Sequence, residues 1–62
     1  MERTLTIDEV SEEYGIPVRT LRWYRSVGRG PVSFKLGRRV RYRKSDVDDW
    51  VNAQYDATKA TA

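Results

Sequence analysis

Gly15 and Pro17 divide the first half of the chain and limit it to short helices. Glycine readily takes the left-handed conformation that ends a helix, and proline is tolerated in the first turn of the next one. The sequence therefore predicts one helix before Gly15 and a second over residues 18–27, which ends at Gly28. Two helices joined by such a short turn form a helix-turn-helix arrangement.

The first predicted helix has a clear start and one apolar face. Thr6 and Glu9 form a capping box, because each side chain can bond the backbone amide of the other. Small or apolar side chains then recur at helical spacing, which predicts one face turned toward a core. These positions are Ile7, Val10, Ser11 and Tyr14.

The second predicted helix carries two stripes of different chemistry. Leu21 and Tyr24 mark an apolar side, which Val18 and Val27 can extend. The other stripe is mostly basic, and a basic exposed stripe is what a helix that enters the major groove of DNA requires. Its members are Arg19, Arg22, Trp23 and Ser26.

Basic residues are concentrated between Arg19 and Lys44. This stretch holds ten Lys or Arg and no acid, while the rest of the chain holds two basic residues against nine acids. The net charge of +3 therefore separates into +10 and −7. Aromatic residues also lie within the stretch, and a basic segment with interspersed aromatics predicts a nucleic-acid surface.

Residues 32–42 follow a flexible basic turn and predict a β-hairpin. We expect a three-residue loop, Gly37 to Arg39, at its tip. In that register Leu36 pairs with Val40, Phe34 pairs with Tyr42, and Lys35 and Arg41 share the other face. Neighbouring like charges repel unless an anion lies beside them, so the tip is a predicted phosphate contact.

A third helix is predicted to begin at a Ser45 cap, with acidic residues in its first turn. Its apolar stripe consists of Val47, Trp50 and Val51, and Tyr55 can extend it. Trp50 is the largest candidate for the core. We expect residues 1–4 to be a flexible start, residues 5–55 to form one domain, and residues 56–62 to be a disordered tail.

The composition excludes several classes of protein. A chain of 62 residues without Cys or His has no disulfide and no conventional zinc site, and few groups suit general-base catalysis. We therefore expect no metal, no cofactor and no enzymatic activity. No apolar run approaches the roughly 18 residues that span a membrane, and no secretory signal is visible. The sequence predicts a soluble intracellular protein.

Several segments resemble a known family. Residues 5–10 and 14–24 look like the opening of the MerR superfamily DNA-binding domain. Residues 35–42 and 45–51 resemble its short branch, which holds phage excisionases (recombination directionality factors) and AlpA-like regulators. The resemblance implies an α+β fold, a small winged helix-turn-helix with the order α-α-β-β-α. It places the second helix in the major groove and the wing tip along phosphates or in a minor groove.

The resemblance also bears on the candidate contact residues. By position, Arg19, Thr20, Arg22 and Trp23 match the recognition helix, and Ser26 joins them from the stripe described above. The predicted wing contacts are Lys35, Arg38, Arg39 and Arg41. Further candidates for phosphate contacts are Arg25, Arg29, Arg43 and Lys44.

Among the short relatives, the resemblance favours a phage excisionase of the mycobacteriophage type, since nine Arg against three Lys suit a high-GC host. The resemblance then implies three partners: double-stranded DNA, further copies of the protein bound head-to-tail on adjacent sites, and a phage integrase. It bends DNA and directs the integrase toward prophage excision in the bacterial cytoplasm. The chain stops at Ala62, without the effector domain of long MerR regulators, which argues against metal or drug sensing.

Other interpretations stay open on the sequence. The protein can instead be a small AlpA-like transcriptional regulator, or a module whose basic face docks an acidic protein. Arg22 can pair with Glu12 or Glu13 rather than with DNA, and Trp23 can lie at the rim of the core. Arg38 and Arg39 can be solvated turn residues, and Arg25 can serve the core or a phosphate.

Overall fold

A computed structural model describes residues 2–61 of the chain, and these form three helices and three short strands. The elements are β1 (Thr4–Leu5), α1 (Ile7–Tyr14), α2 (Val18–Ser26), β2 (Phe34–Leu36), β3 (Arg39–Arg43) and α3 (Lys44–Thr61). The strands pair antiparallel in the order β1-β3-β2. The α+β fold and the order α-α-β-β-α are confirmed. Strand β1 was not predicted, because two residues are too short to show an alternating pattern.

Helix α1 begins and ends where the sequence predicts. The Glu9 amide donates to Thr6 Oγ1 at 3.1 Å, and the Thr6 amide donates to Glu9 Oε1 at 2.9 Å. Gly15 closes the helix with φ of +70°, and its amide donates to the Ser11 carbonyl. The capping box and the glycine stop are both confirmed, because each depends only on neighbours in the chain.

The core contains one fully buried side chain from each of five elements. They are Leu5 of β1, Val10 of α1, Leu21 of α2, Tyr42 of β3 and Val47 of α3. Strand β2 contributes none, since all three of its residues are exposed. The hairpin is therefore attached to the domain through β3, and its outer strand is free to meet a partner.

The predicted register of the hairpin is wrong by one residue. Phe34 pairs with Arg41, Lys35 with Val40 and Leu36 with Arg39, so the turn contains only Gly37 and Arg38. Gly37 has φ of +67°, as a two-residue hairpin turn with glycine first requires. The shift moves Phe34 and Leu36 to the face opposite Val40 and Tyr42. Lys35 and Arg41 consequently lie on different faces.

Trp50 is not the centre of the core. It is half-buried, and its ring meets the Tyr24 ring edge-to-face at 5.5 Å between centroids. Tyr24 in turn contacts Trp23 at 5.5 Å. The aromatic residue of the buried cluster is Tyr42, and neither tryptophan belongs to that cluster.

The start of α3 is capped by a residue from the other end of the chain. Helix α3 begins at Lys44, and Ser45 lies inside it rather than at the cap. The Glu2 carboxylate accepts from the Ser45 amide at 3.4 Å and from the Ser45 hydroxyl at 2.7 Å. It also accepts from Arg43 Nε at 3.3 Å. The predicted serine cap is thus replaced by a long-range carboxylate, which local sequence does not reveal.

Helix α3 continues through Thr61, where the sequence predicts a disordered tail. No glycine or proline interrupts residues 44–61, and alanines within them favour a helix. Residues 52–60 are all exposed. Met1 and Ala62, which belong to the predicted flexible ends, lie outside the described residues.

A polar cluster joins α1 to α3. The Tyr14 hydroxyl donates to Asp48 Oδ1 at 2.6 Å, and Lys44 Nζ donates to the Tyr14 hydroxyl at 3.1 Å. Burial, followed by the bond to Asp48, raises the pKa of Tyr14. Across residues 2–61, no helix has the length and apolar character needed to cross a membrane.

Candidate nucleic-acid interface

The predicted recognition stripe lies on the outer side of α2. Leu21 is fully buried and fixes the helix against the core, so the opposite side faces solvent. Thr20 is half-buried, and the Ser26 hydroxyl donates to the Trp23 carbonyl at 2.7 Å, which occupies its proton within the helix. The exposed members of the stripe are Arg19, Arg22, Trp23 and Ser26.

The predicted wing residues occupy different positions on the hairpin. Arg38 lies in the turn, and Lys35 and Arg39 are exposed on the two strands. Arg41 is half-buried, and its Nε has no hydrogen-bond partner among residues 2–61. Most of the exposed positive charge of the hairpin therefore lies near its turn. Arg41 lies further from the turn and is less exposed.

Arginines from α2 and from the hairpin meet in one cleft of about 300 Å³. Arg22 and Arg25 come from α2 and Arg39 from β3, and the first residues of α1 complete the wall. Thr6 and the first two residues of α1 were not predicted to lie here, because only the tertiary packing brings the start of α1 beside the two basic elements. The three arginines outnumber the one carboxylate in the wall, that of Asp8, so the cleft has a net positive charge that suits a phosphate.

The spacing between α2 and the hairpin is fixed by a direct bond. Arg25 Nε donates to Ser33 Oγ at 3.2 Å, just before β2. The connecting turn also passes close to α2, since a Cβ built on Gly30 would lie 2.7 Å from the Tyr24 Cβ. These contacts hold the two basic elements at a defined distance.

Other basic residues form ion pairs with carboxylates, and several of these pairs involve the N-terminal residues Glu2 and Arg3. Arg3 pairs with Glu9 at 2.9 Å and with Glu13 at 3.6 Å. The Thr6 amide, followed by Arg3, lowers the pKa of Glu9. Two predicted phosphate contacts are similarly paired: Arg43 with Glu2 at 3.3 Å and Lys44 with Asp48 at 3.5 Å.

The basic residues of α2, and those of the hairpin other than Arg43, are not neutralised in this way. Within the described part of the chain, no ion pair engages them, and Arg22 does not pair with Glu12 or Glu13. Arg29, another predicted phosphate contact, lines a separate cleft beside Tyr24 and Trp50. The uncompensated charge is therefore concentrated around the cleft between α2 and the hairpin.

Residues 4–55 match the family described as a helix-turn-helix domain. The chain belongs to this family. The match covers most of the chain, and the helix-turn-helix domain binds double-stranded DNA sequence-specifically. Domains of the family are typically non-enzymatic. No curated protein and no solved structure matches the chain significantly.

Proposed function

We propose that this helix-turn-helix domain is a phage excisionase that binds adjacent DNA sites cooperatively, bends the duplex and directs an integrase toward prophage excision. The observation that carries the proposal is the cleft shared by Arg22 and Arg25 of α2 and Arg39 of the wing. The family match, which includes excisionase-like and AlpA-like proteins, supports it.

In this proposal α2 reads bases and the wing holds the backbone. Arg22 projects from the middle of the exposed stripe of α2, where a helix in the major groove meets base edges. Arg25 and Arg39 flank the cleft and bind a phosphate between helix and wing, and Arg38 binds the next phosphate or the minor groove. A guanidinium that is bidentate on guanine discriminates by about 1–3 kcal/mol per base pair.

Cooperative binding follows from the small size of the reading surface. One short helix contacts few bases, so a single copy has limited specificity. Copies bound side by side raise each other's effective concentration without new base contacts. Head-to-tail contacts that do not close into a ring extend along the DNA as a filament.

Gel-shift titration of a phage attachment region tests the proposal. We expect a ladder of complexes that fills cooperatively, and a single non-cooperative band on every duplex would contradict it. An excision assay with the cognate integrase then separates the two branches of the family. Excision that does not depend on the protein would favour an AlpA-like transcriptional regulator instead.

Single substitutions test the division of labour between helix and wing. Arg38→Ala and Arg39→Ala should weaken binding to all sequences alike, while Arg22→Ala should also reduce the ratio of specific to non-specific affinity. Lys59→Ala, at the far end of α3, removes the same charge away from the cleft and serves as control. An unchanged ratio in Arg22→Ala would show that α2 does not read bases.

Salt dependence separates DNA binding from a basic protein-docking module. With about six phosphate contacts, log K should fall against log salt with a slope near −5. Each wing substitution should reduce that slope by roughly one unit. Weak, salt-independent binding to DNA beside tight binding to an acidic protein would support the docking module.

A further inference from the structure

The hairpin carries an exposed apolar stripe that the fold does not use. Phe34 and Leu36 lie on one face of β2 and are 37% and 58% exposed, and Val32, just before the strand, is 65% exposed. A domain this small needs its large apolar side chains for the core, yet β2 contributes none of them. A cluster of exposed apolar side chains indicates contact with a partner.

The surroundings of Leu36 indicate that this partner is negatively charged. Leu36 directly precedes the turn that holds Arg38, and it lies opposite Arg39 on the neighbouring strand. Paired residues of antiparallel strands place their side chains side by side. Arg39 also lines the cleft that it shares with Arg22 of α2. Leu36 therefore lies next to the guanidinium-bearing residues Arg38 and Arg39, on the basic side of the domain.

We propose that Leu36 is an apolar wedge that enters the minor groove and partly unstacks one base step, an inference that rests on the DNA binding proposed above. Proteins that kink DNA combine a cationic side chain in the minor groove with an apolar residue inserted between bases, and bend the duplex by roughly 20–90°. Here Arg38 and Arg39 hold the phosphates beside the groove while Leu36 occupies the opened step. Pyrimidine–purine steps, which unstack most easily, are the expected place of insertion.

The geometry singles out Leu36 within the stripe. Phe34 is covered further and lies opposite Arg41, away from the turn. Val32 precedes β2 and lies furthest from the tip. Only the residue next to the turn reaches a groove that the tip enters. Val32→Ala therefore removes apolar surface from the same stripe without touching the wedge, and it is the matched control.

The test uses the duplex selected by gel shift, with a donor and an acceptor dye at its ends and 2-aminopurine placed at successive steps. Wild-type protein should bend this duplex and raise 2-aminopurine fluorescence at one step, because unstacking removes its quenching. Leu36→Ala should lose about half or more of a bend of roughly 20–90° and should lose the fluorescence rise. Leu36→Met should keep both, and Val32→Ala should match wild type.

Two results would overturn the wedge. The first is an unchanged bend and fluorescence in Leu36→Ala, with circular dichroism showing a folded protein. The second is an unchanged bend on a single site together with lost cooperativity on adjacent sites, which would make the stripe a contact between copies. In both, wild-type binding leaves the proposed function standing. Absence of wild-type binding to any duplex would instead refute the proposed function itself.

Discussion

Single residues at the ends of the helices stabilise the fold of this domain. The capping box at Thr6, the left-handed Gly15 and the Glu2 carboxylate at α3 each satisfy backbone groups that a helix end leaves open. The first two act between neighbours in the chain, while Glu2 acts across 43 positions to Ser45. Of the three, Glu2 is the one whose contribution to stability can be tested by pH and by substitution, because it acts through an ionisable carboxylate.

Glu2→Gln should destabilise the protein in a pH-dependent way. The bond from the Ser45 hydroxyl is the main cause that lowers the pKa of Glu2 below its ordinary value of 4.5. A lowered pKa in the folded state means that the carboxylate stabilises the fold fully above pH 4.5, and that this is lost as pH falls through the lower pKa. Urea melts at several pH values measure the difference.

The control for Glu2 is Glu12→Gln, because Glu12 makes no hydrogen bond or ion pair in the described part of the chain. We expect the gap in unfolding free energy between wild type and Glu2→Gln to be constant above pH 5 or so and to close in acid. A gap that does not vary with pH would mean that the carboxylate charge is not what caps α3.

Gly30→Ala should cost more stability than Gly28→Ala. Both glycines have positive φ, +79° and +72°, so either alanine pays a backbone cost of roughly 1–2 kcal/mol. Only at Gly30 does the new Cβ meet Tyr24, at 2.7 Å from its Cβ, which adds about 1–3 kcal/mol of overpacking. Thermal and urea unfolding of the two variants measure the difference in stability. Equal losses of stability would contradict the close approach of Gly30 to Tyr24.

The helices and strands differ in how firmly the rest of the domain holds them. Strands β1 and β3, α1, α2 and the start of α3 share the core, while β2 and the end of α3 contribute nothing buried. An isolated helix of about ten residues is marginal in water. Because the end of α3 contributes nothing to the core, we expect the local stability of α3 to fall along its length.

Amide hydrogen exchange should divide α3 into two parts. Residues around Val47 and Val51 pack on the core and should be protected to near the global unfolding free energy. Residues beyond Tyr55, which is 65% exposed, should exchange much faster. Equal protection along α3 would show that its last turns are held as firmly as its first.

The folded domain as a unit has little stability to lose. The free energy of unfolding expected for 62 residues is roughly 3–9 kcal/mol, and the core cluster among the described residues consists of five fully buried side chains. Such a domain gains from any ligand that binds the folded state alone. DNA is therefore expected to stabilise the fold as well as to be its target.

Leu21→Ala should remove most of that stability. Leu21 is fully buried and anchors α2, and a leucine truncation in a core costs about 2–5 kcal/mol. We expect a strongly lowered melting temperature, partly restored by a saturating duplex. The exposed Leu36→Ala is the matched control, within about 0.5 kcal/mol of wild type. Comparable losses in the two variants would contradict the assigned core.

Short-range signals in the chain were sufficient to predict the helix-turn-helix. The Thr6–Glu9 box, the Gly15 stop and the periodicity around Leu21 act over a few residues, so a local pattern specifies them fully. The pattern of residues 32–42 also predicted a hairpin, and with it the order of elements, which the structure confirms. The charge pattern indicated which segments carry the basic surface.

Only tertiary packing decided the rest. A change of one residue in turn length shifts the register of a hairpin. Because the turn consists of Gly37 and Arg38, Phe34 lies on the face opposite to the predicted one. The cap from Glu2, the displacement of Trp50 from the core and the meeting of Arg22 with Arg39 all join residues distant in the chain. Such contacts depend on how the helices and strands pack against one another. A periodic pattern within one element does not specify that packing.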